Sequence, residues 1–416
     1  MLLVSKKFKA ISCYYVVMNE RPVIVAGGGL GGLGVALGLA NKGKAVLVLE
    51  KAPQLGEIGA GIQLGPNAFH SLDHLGVGQG ARRQAVYVDK LRFMDAITNE
   101  VVADIPVGDR FRERFQNPYA VVHRADLHKE MVNACKSNSR IQLQVNSEVI
   151  GYSQDNGLIT VNLANGSAVD GELLVGADGL HSAVRERVAG DGTPRVSGHS
   201  TFRSVIPVER FPQAIRWNAA TLWMGPSCHL VHYPLSGSKL FNIVITKDNK
   251  VKDVVAGKSV SKEEVRSNFS HIHEVPKQLI EIGEDWKMWV LCDRDPIRDW
   301  VDGRAVLLGD AAHPTLQYYA QGACMALEDA VSLSELIGSH PENHEKALIE
   351  YRDSRLVRTA RIQIGSRQLG DNWFHVQGVH SALRNEIMSG MSDDEYYSHL
   401  EWLYGYKASS VREESI

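Results

Sequence analysis

Two kinds of apolar pattern alternate along this chain. The first is a short unbroken run. Val23 to Val25 stops in a glycine cluster, a helical spacing follows, and a second run, 45–49, stops at Glu50. Runs of this length with β-branched residues are how strands buried on both faces read, and strand–helix–strand is the unit of a parallel sheet. The same pattern returns at 172–177, closed by Asp178-Gly179, and at 304–308, closed by Gly309-Asp310. The second kind is alternation. Residues 200–205, 219–224, 229–233, 240–246 and 286–291 alternate apolar and polar positions, which predicts a mostly antiparallel sheet. It lies between about 196 and 293, with one helix at 261–270. The remaining expectations are local. Pro66 and Asn67 open a helix towards Leu75, Asp126 caps a helix over 127–135, and a helix covers 180–188. Strands fall at 119–124 and 141–145, and a hairpin at 151–166 turns at Asp155-Asn156-Gly157. A helix over 322–336 precedes a polar, mainly helical end, 345–404.

Composition narrows the class. With 416 residues, 44% hydrophobic and 22% charged, the chain can bury a large core in two or three domains. A net charge of −3 suggests neither nucleic acid nor an anionic membrane as a partner. The five cysteines are scattered and show no C-x-x-C, and the sixteen histidines show no ligand spacing. That pattern expects a reducing, cytoplasmic setting and no metal site. Residues 22–41 lack charge and reach the length of a membrane span, yet seven of them are glycine and a charged turn follows, so a soluble strand–turn–helix is the better reading. Residues 1–17 read as a disordered tail, with Met18 an alternative start.

The chemistry begins where the runs end. Gly27, Gly29 and Gly32 fit G-x-G-x-x-G, with Glu50 18 positions beyond Gly32. The first glycine permits the tight turn, the second lets a pyrophosphate approach the backbone, and the third lets helix pack on strand. The helix N-terminus offers free N–H groups to phosphate, and the acid can accept from a ribose hydroxyl. Ligands of parallel sheets sit beyond the carboxyl ends of the strands. Asp178 and Asp310 lie at two further such ends. Alone, each would be read as the cap of the helix that follows; beside the fingerprint, both are expected to face a dinucleotide.

The three motifs together resemble the single-component flavoprotein aromatic hydroxylases. The resemblance runs from Met18 to about Arg367 and rests on GGGLGG with Glu50, on GADGLHSAVR and on LLGDAAHPTLQYYAQGACMALEDA. It implies an α/β, Rossmann-like FAD-binding domain (18–195 and 294–344), an inserted mostly antiparallel substrate domain (196–293) and a helical C-terminal region (345–416). It also implies FAD as cofactor, with Gly27, Gly29, Gly32 and Glu50 at its ADP half, Asp178 and Asp310 along it, and Arg124 in VVHRADLH as a further contact. NADH is implied as co-substrate in preference to NADPH, binding without a domain of its own, with O2 as oxidant and a homodimer as the assembly. Within the family, the run after HP and the stretch HLVHYPLSG are most similar to the members that hydroxylate 3-hydroxybenzoate to gentisate. By that likeness His229, Tyr233 and Gln317 line the pocket of a small phenolic acid, with His229 and Gln317 catalytic.

The residues allow this on their own terms. His229, Val231 and Tyr233 share one sheet face, and four residues of strand span about 13 Å, room for one benzene ring with a polar contact at each end. An imidazole can take a phenolic proton, and Tyr233 can bond a carboxylate. His232 points to the other face and reads as structural. The amides of Gly322 and Ala323 open a helix and can stabilise negative charge on a reduced flavin ring. Cys324 reads as packing and His313 as holding its loop. The alternatives are a salicylate 1-hydroxylase or another phenolic-acid hydroxylase, a flavin oxidoreductase that does not oxygenate, and a flavin-binding interaction protein without turnover.

Overall fold

The computed structural model describes residues 21–56, 60–155 and 157–410. The expected tail, 1–17, and the hairpin tip Asn156 lie outside them. The two apolar patterns form two different sheets. The unbroken runs make a six-stranded sheet in the order Val301–Asp302, Ala305–Leu307, Leu173–Gly176, Val23–Ala26, Val46–Leu49, Ile141–Gln144, parallel throughout except for its first pair. The register decides where a ligand can lie. Ala26 pairs with both Gly176 and Leu49, and Gly176 pairs with Leu307, so four strands end level. Gly27, Glu50, Ala177-Asp178 and Leu308–Asp310 therefore leave the sheet along one edge.

The glycines of 22–41 have a physical reason. They fall in the strand Val23–Ala26, its turn and the helix Leu30–Asn41, which packs along the helix Gly322–Ser339. A Cβ on Gly31, Gly34 or Gly38 would come within 3.2, 3.1 and 2.7 Å of the Cβ atoms of Ala326, Ala330 and Ser334. Small faces on both helices let the backbones approach closely. No helix among the described residues is long and apolar enough to cross a membrane.

The alternating runs make an eight-stranded sheet, antiparallel but for one pair. Two of its strands come from outside residues 196–293: Lys90–Asp95 pairs in parallel with Ala219–Gly225, and Val101–Pro106 forms the edge. One face of this sheet buries Phe202, Trp223, Leu230, Ile243 and Ile245 against the helices Lys262–Ser267 and Glu274–Ile282. Period two sends His229, Val231 and Tyr233 to the opposite face. His232, on the packed side, is fully buried among Phe211, Trp217, Trp223 and Phe241.

Three local expectations change. In place of the one helix expected at 261–270 there are two, Lys262–Ser267 and Glu274–Ile282. The helix expected to start after Asp126 is Arg124–Lys136, with His123 extended as its cap residue. Asp126 thus sits in the first turn, where its charge suits the helix dipole without capping it. The helix expected over 180–188 is only Ala183–Val188, with the Ser182 hydroxyl accepting from Arg185 N. At the C-terminal end, the helix Asp393–Tyr404 closes the molecule through Tyr397 and Tyr404, packed edge-on against Phe111 and Phe115.

Candidate active site

One cavity of about 980 Å³ runs from the level strand ends of the parallel sheet to the open face of the second sheet. Its first half is built from backbone and acids. Gly27 takes φ +105°, and a Cβ there would fall 2.3 Å from the Ala177 oxygen, so the turn needs glycine. Gly29, the cap residue of helix Leu30–Asn41, has nothing within 4 Å of a notional Cβ and opens on the cavity. Gly32 does not line the cavity; its notional Cβ lies 2.0 Å from the Gly27 oxygen, so it serves the packing of the turn on the helix. Glu50 lines the wall and accepts from Gly28 N (2.7 Å) and Ala52 N (2.8 Å). His128 bonds the Gly28 oxygen at 2.8 Å and fixes the loop from behind.

Asp178 and Asp310 both reach the cavity, in different ways. Asp178 is a wall residue and a cap at once: it accepts from Ser182 Oγ (2.5 Å), Ala183 N (2.8 Å) and Val184 N (3.3 Å). Burial raises its pKa, and those three bonds oppose the rise. The Asp310 carboxylate opens onto the cavity and accepts no hydrogen bond from the described residues. Enclosure by protein raises its pKa, opposed by the charges of His313 and Arg124. Arg124, the first residue of its helix, lines the same stretch. Gly322 and Ala323, the first turn of the 18-residue helix Gly322–Ser339, also line the cavity. Two helix N-termini thus point into one cavity, an arrangement suited to an anionic ligand.

The second half is an aromatic and apolar chamber. His229, Val231, Tyr233 and Val244 form its floor, and Leu222, Tyr318 and Phe374 help to wall it. Gln317 is held rather than free: its amide nitrogen donates to Thr246 Oγ1 (2.8 Å), and its oxygen accepts from Arg203 Nη2 (3.3 Å). His229 is 2% exposed; burial first, then the neighbouring His375 and His199, hold its pKa well below the usual imidazole value. It is therefore neutral at ordinary pH. Burial raises the Tyr233 phenol, and Arg203 opposes that. Cys324 is buried, with its thiol pushed up to about 12, which leaves it inert.

Three participants escaped the sequence reading. Arg203 lines the chamber with its guanidinium over Trp289 (5.3 Å) and no carboxylate partner among the described residues. Its signal was a charge between Phe202 and Ser204 in the middle of a strand, Arg195–Pro207. His375 meets His229 from the end of the helix region, 146 positions away. Asp329 lies beneath the Gly309–Asp310 turn: it accepts from Gly309 N (3.0 Å), Arg355 Nε (2.7 Å) and His313 Nε2 (2.5 Å). His313 thus holds this loop through Asp329.

A family model described as an FAD binding domain matches residues 20–363, most of the chain. This protein belongs to that FAD-binding family. Its relatives include 3-hydroxybenzoate 6-hydroxylase 1 of Aquipseudomonas alcaligenes, 51% identical over 92% of this chain and 97% of the relative. The 3-hydroxybenzoate 6-hydroxylase of Polaromonas naphthalenivorans is 46% identical over 94% and 97%. Among solved structures, Klebsiella pneumoniae HpxO complexed with FAD and uric acid superposes with a TM-score of 0.82 at 23% identity, covering 94% of this chain and 96% of that one. The last likeness speaks to the fold. The cavity itself fits the FAD of the family. An open glycine at a helix start, the Asp310 carboxylate, which has no hydrogen-bond partner among the described residues, and a second helix N-terminus line it together. A dinucleotide presents a pyrophosphate, polyol hydroxyls and a ring that carries negative charge when reduced, in that order.

Proposed function

We propose that this flavoprotein hydroxylates 3-hydroxybenzoate para to its phenol with NADH and O2, giving 2,5-dihydroxybenzoate. The observation that carries the reading is the chamber: a buried neutral histidine and a tyrosine on one strand face, an oriented amide and a guanidinium, all at the far end of an FAD-sized cavity. The names of the two relatives agree with it. In this reading the turn of Gly27, Gly29 and Gly32 receives the pyrophosphate, and Glu50 the adenosine ribose. Asp310 receives the ribityl hydroxyls, Asp178 and Arg124 flank the cofactor, and the Gly322 and Ala323 amides face its ring. When bound, FAD accepts hydride from NADH and activates O2 so that an electrophilic oxygen reaches the substrate.

The chain's own residues decide where that oxygen goes. An electrophile needs an electron-rich ring, and His229 provides it by taking the phenolic proton at Nε2, its Nδ1 being engaged by His375. The phenolate then activates the ortho and para carbons. Anchoring the carboxylate by Arg203 and Tyr233 and the phenol by His229 and Gln317 fixes the ring, and carbon six, para to the phenol, is the carbon presented. The apolar walls keep water from the reacting centre.

A screen of the purified yellow protein tests this. NADH oxidation should be stimulated by 3-hydroxybenzoate, with gentisate formed in proportion. Catechol from salicylate, with no gentisate from 3-hydroxybenzoate, would overturn the reading in favour of a salicylate hydroxylase; substrate-stimulated NADH oxidation without O2 uptake would make it a non-oxygenating reductase. Arg203 has its own test. Arg203→Met should weaken binding of 3-hydroxybenzoate by about 10–100-fold, as loss of one desolvated charge partner does, and leave 3-hydroxybenzamide binding nearly unchanged. Equal loss for acid and amide, read by flavin difference spectra, would remove the guanidinium from carboxylate recognition.

A further inference from the structure

His229 is buried, and a base in a dry chamber cannot keep the proton it takes. Protonation of His229 is opposed by burial and by the two imidazoles beside it. The structure offers a way out. His229 Nδ1 lies 2.8 Å from His375 Nε2, with the rings stacked at 22° and 5.1 Å between centroids. That bond leaves Nε2 of His229 as the nitrogen free for a substrate in the chamber. His375 is placed by an unusual backbone: a π-turn, Gly370–Phe374, closed by His375 N donating to the Gly370 oxygen at 3.1 Å. A Cβ on Gly370 would fall 2.9 Å from the Tyr318 ring, so the turn is seated by a glycine. Such π-turns recur at functional sites. The outer side of His375 faces polar groups. His199 touches its ring edge-on at 5.2 Å and bonds Tyr318 Oη at 2.5 Å, and Asp248, Lys247 and Lys250 act on it electrostatically. Two buried polar atoms here, His375 Nδ1 and Asp248 Oδ1, have no hydrogen-bond partner among the described residues, His199 Nε2 standing 3.6 Å from Asp248 Oδ1. Lys250, 83% exposed, bonds the other oxygen of Asp248, so this side leads to solvent.

We infer that His375 is the proton outlet of His229. The inference rests on the proposed role of His229 as the base. The phenol O–H bond breaks as His229 Nε2–H forms. The Nδ1 proton of His229 passes to His375 Nε2, and the Nδ1 proton of His375 leaves towards Asp248 and solvent. The substrate loses one proton, both imidazoles end neutral in the opposite tautomer, and return of a proton along the same path restores them. His375 acts through His229 and touches no substrate, so it is a positioning and relay residue.

The test uses FAD-loaded enzyme and a series of ring-fluorinated 3-hydroxybenzoates, whose phenols are more acidic. In His375→Gln the amide can still accept from His229 but cannot pass a proton on. Its hydroxylation rate at pH 7 should fall about 10–100-fold. The rate should then climb towards the native value as pH rises to 9, and the deficit should shrink as the phenol becomes more acidic. In His375→Ala, added imidazole should restore rate. A loss equal at every pH and for every phenol, or no loss, overturns the relay. A second measurement needs no turnover. Nitrogen-15 NMR of histidine-labelled protein should show His229 protonated at Nδ1, and an Nε2–H tautomer overturns the outlet. If the native enzyme hydroxylates none of these phenols, the proposed reaction fails, and the tautomer still decides the relay.

Discussion

His229→Ala should slow hydroxylation by about 10²–10⁴, the usual cost of removing a positioned general base. FAD should stay bound, because the histidine belongs to the chamber and not to the strand ends of the parallel sheet. The pH dependence carries more information than the size of the loss. Burial, His375 and His199 all hold His229 well below the ordinary imidazole value, so it is an unprotonated base at neutral pH. Native activity should therefore show no loss from this group as pH falls through 6.5. The alanine variant must rely on phenol that ionises without help, so its rate should rise about tenfold per pH unit until that phenol is ionised. Single-turnover product formation from pH 6 to 9 distinguishes the two. A near-native rate in the variant would remove His229 from the mechanism, and an unchanged slope with a low rate would make it a binding residue only. Reduction of the flavin by NADH should change far less than product yield, since uncoupled oxygen use is the expected default of an unactivated ring.

The strand ends that build the cofactor half were legible because buried parallel strands are apolar throughout and their chemistry begins where the run stops. Leu49, Gly176 and Leu307 end level in the sheet, and Glu50, Asp178 and Asp310 come just after them. The face of the second sheet was legible from period two alone, which put His229 and Tyr233 together and sent His232 away. Other features depend on partners far along the chain. Lys90–Asp95 joins the second sheet through Ala219–Gly225, and nothing local in its sequence names that neighbour. At Asp178 the sequence allows either a helix cap or a cavity acid, and the two carboxylate oxygens let it be both. His375 has no pattern around it, because a π-turn has no hydrophobic period of its own. Arg203 was visible as an odd charge in a strand, but only the fold shows that the strand borders a cavity.

Asp329→Asn should cost about 3–5 kcal/mol of stability, the range found when one partner of a buried charge cluster is removed. The residue stood inside the motif ALEDA without a role until the fold surrounded it. Asp329, Arg355 and Glu328 have fully buried side chains; Arg355 bonds Asp329 at 2.7 Å and Glu328 at 2.7 Å, and Arg358 bonds Glu328 at 2.7 Å. An asparagine keeps the shape and an acceptor for Gly309 N, but leaves Arg355 with one carboxylate in place of two. The thermal midpoint should fall by roughly 3–6 °C for a chain of this size. FAD should also dissociate more readily, because Asp329 holds both Gly309 and His313 on either side of Asp310. The sign with pH follows from the carboxyl itself. His313 and Arg355 overcome the cost of its burial and hold Asp329 down at about 2. A group depressed on folding stabilises above its unfolded pKa, near 4, and that contribution drains away as pH falls from about 4 through about 2. The native protein should therefore lose about 2–3 kcal/mol across that interval from this group, and the asparagine variant should lack this part of the acid dependence. Arg355→Met combined with Asp329→Asn should be less damaging than the sum of the two alone, since it removes the charge that the first change leaves behind. Additive losses in denaturant titrations would show that the cluster is not coupled and that Asp329 acts only through the Gly309 turn.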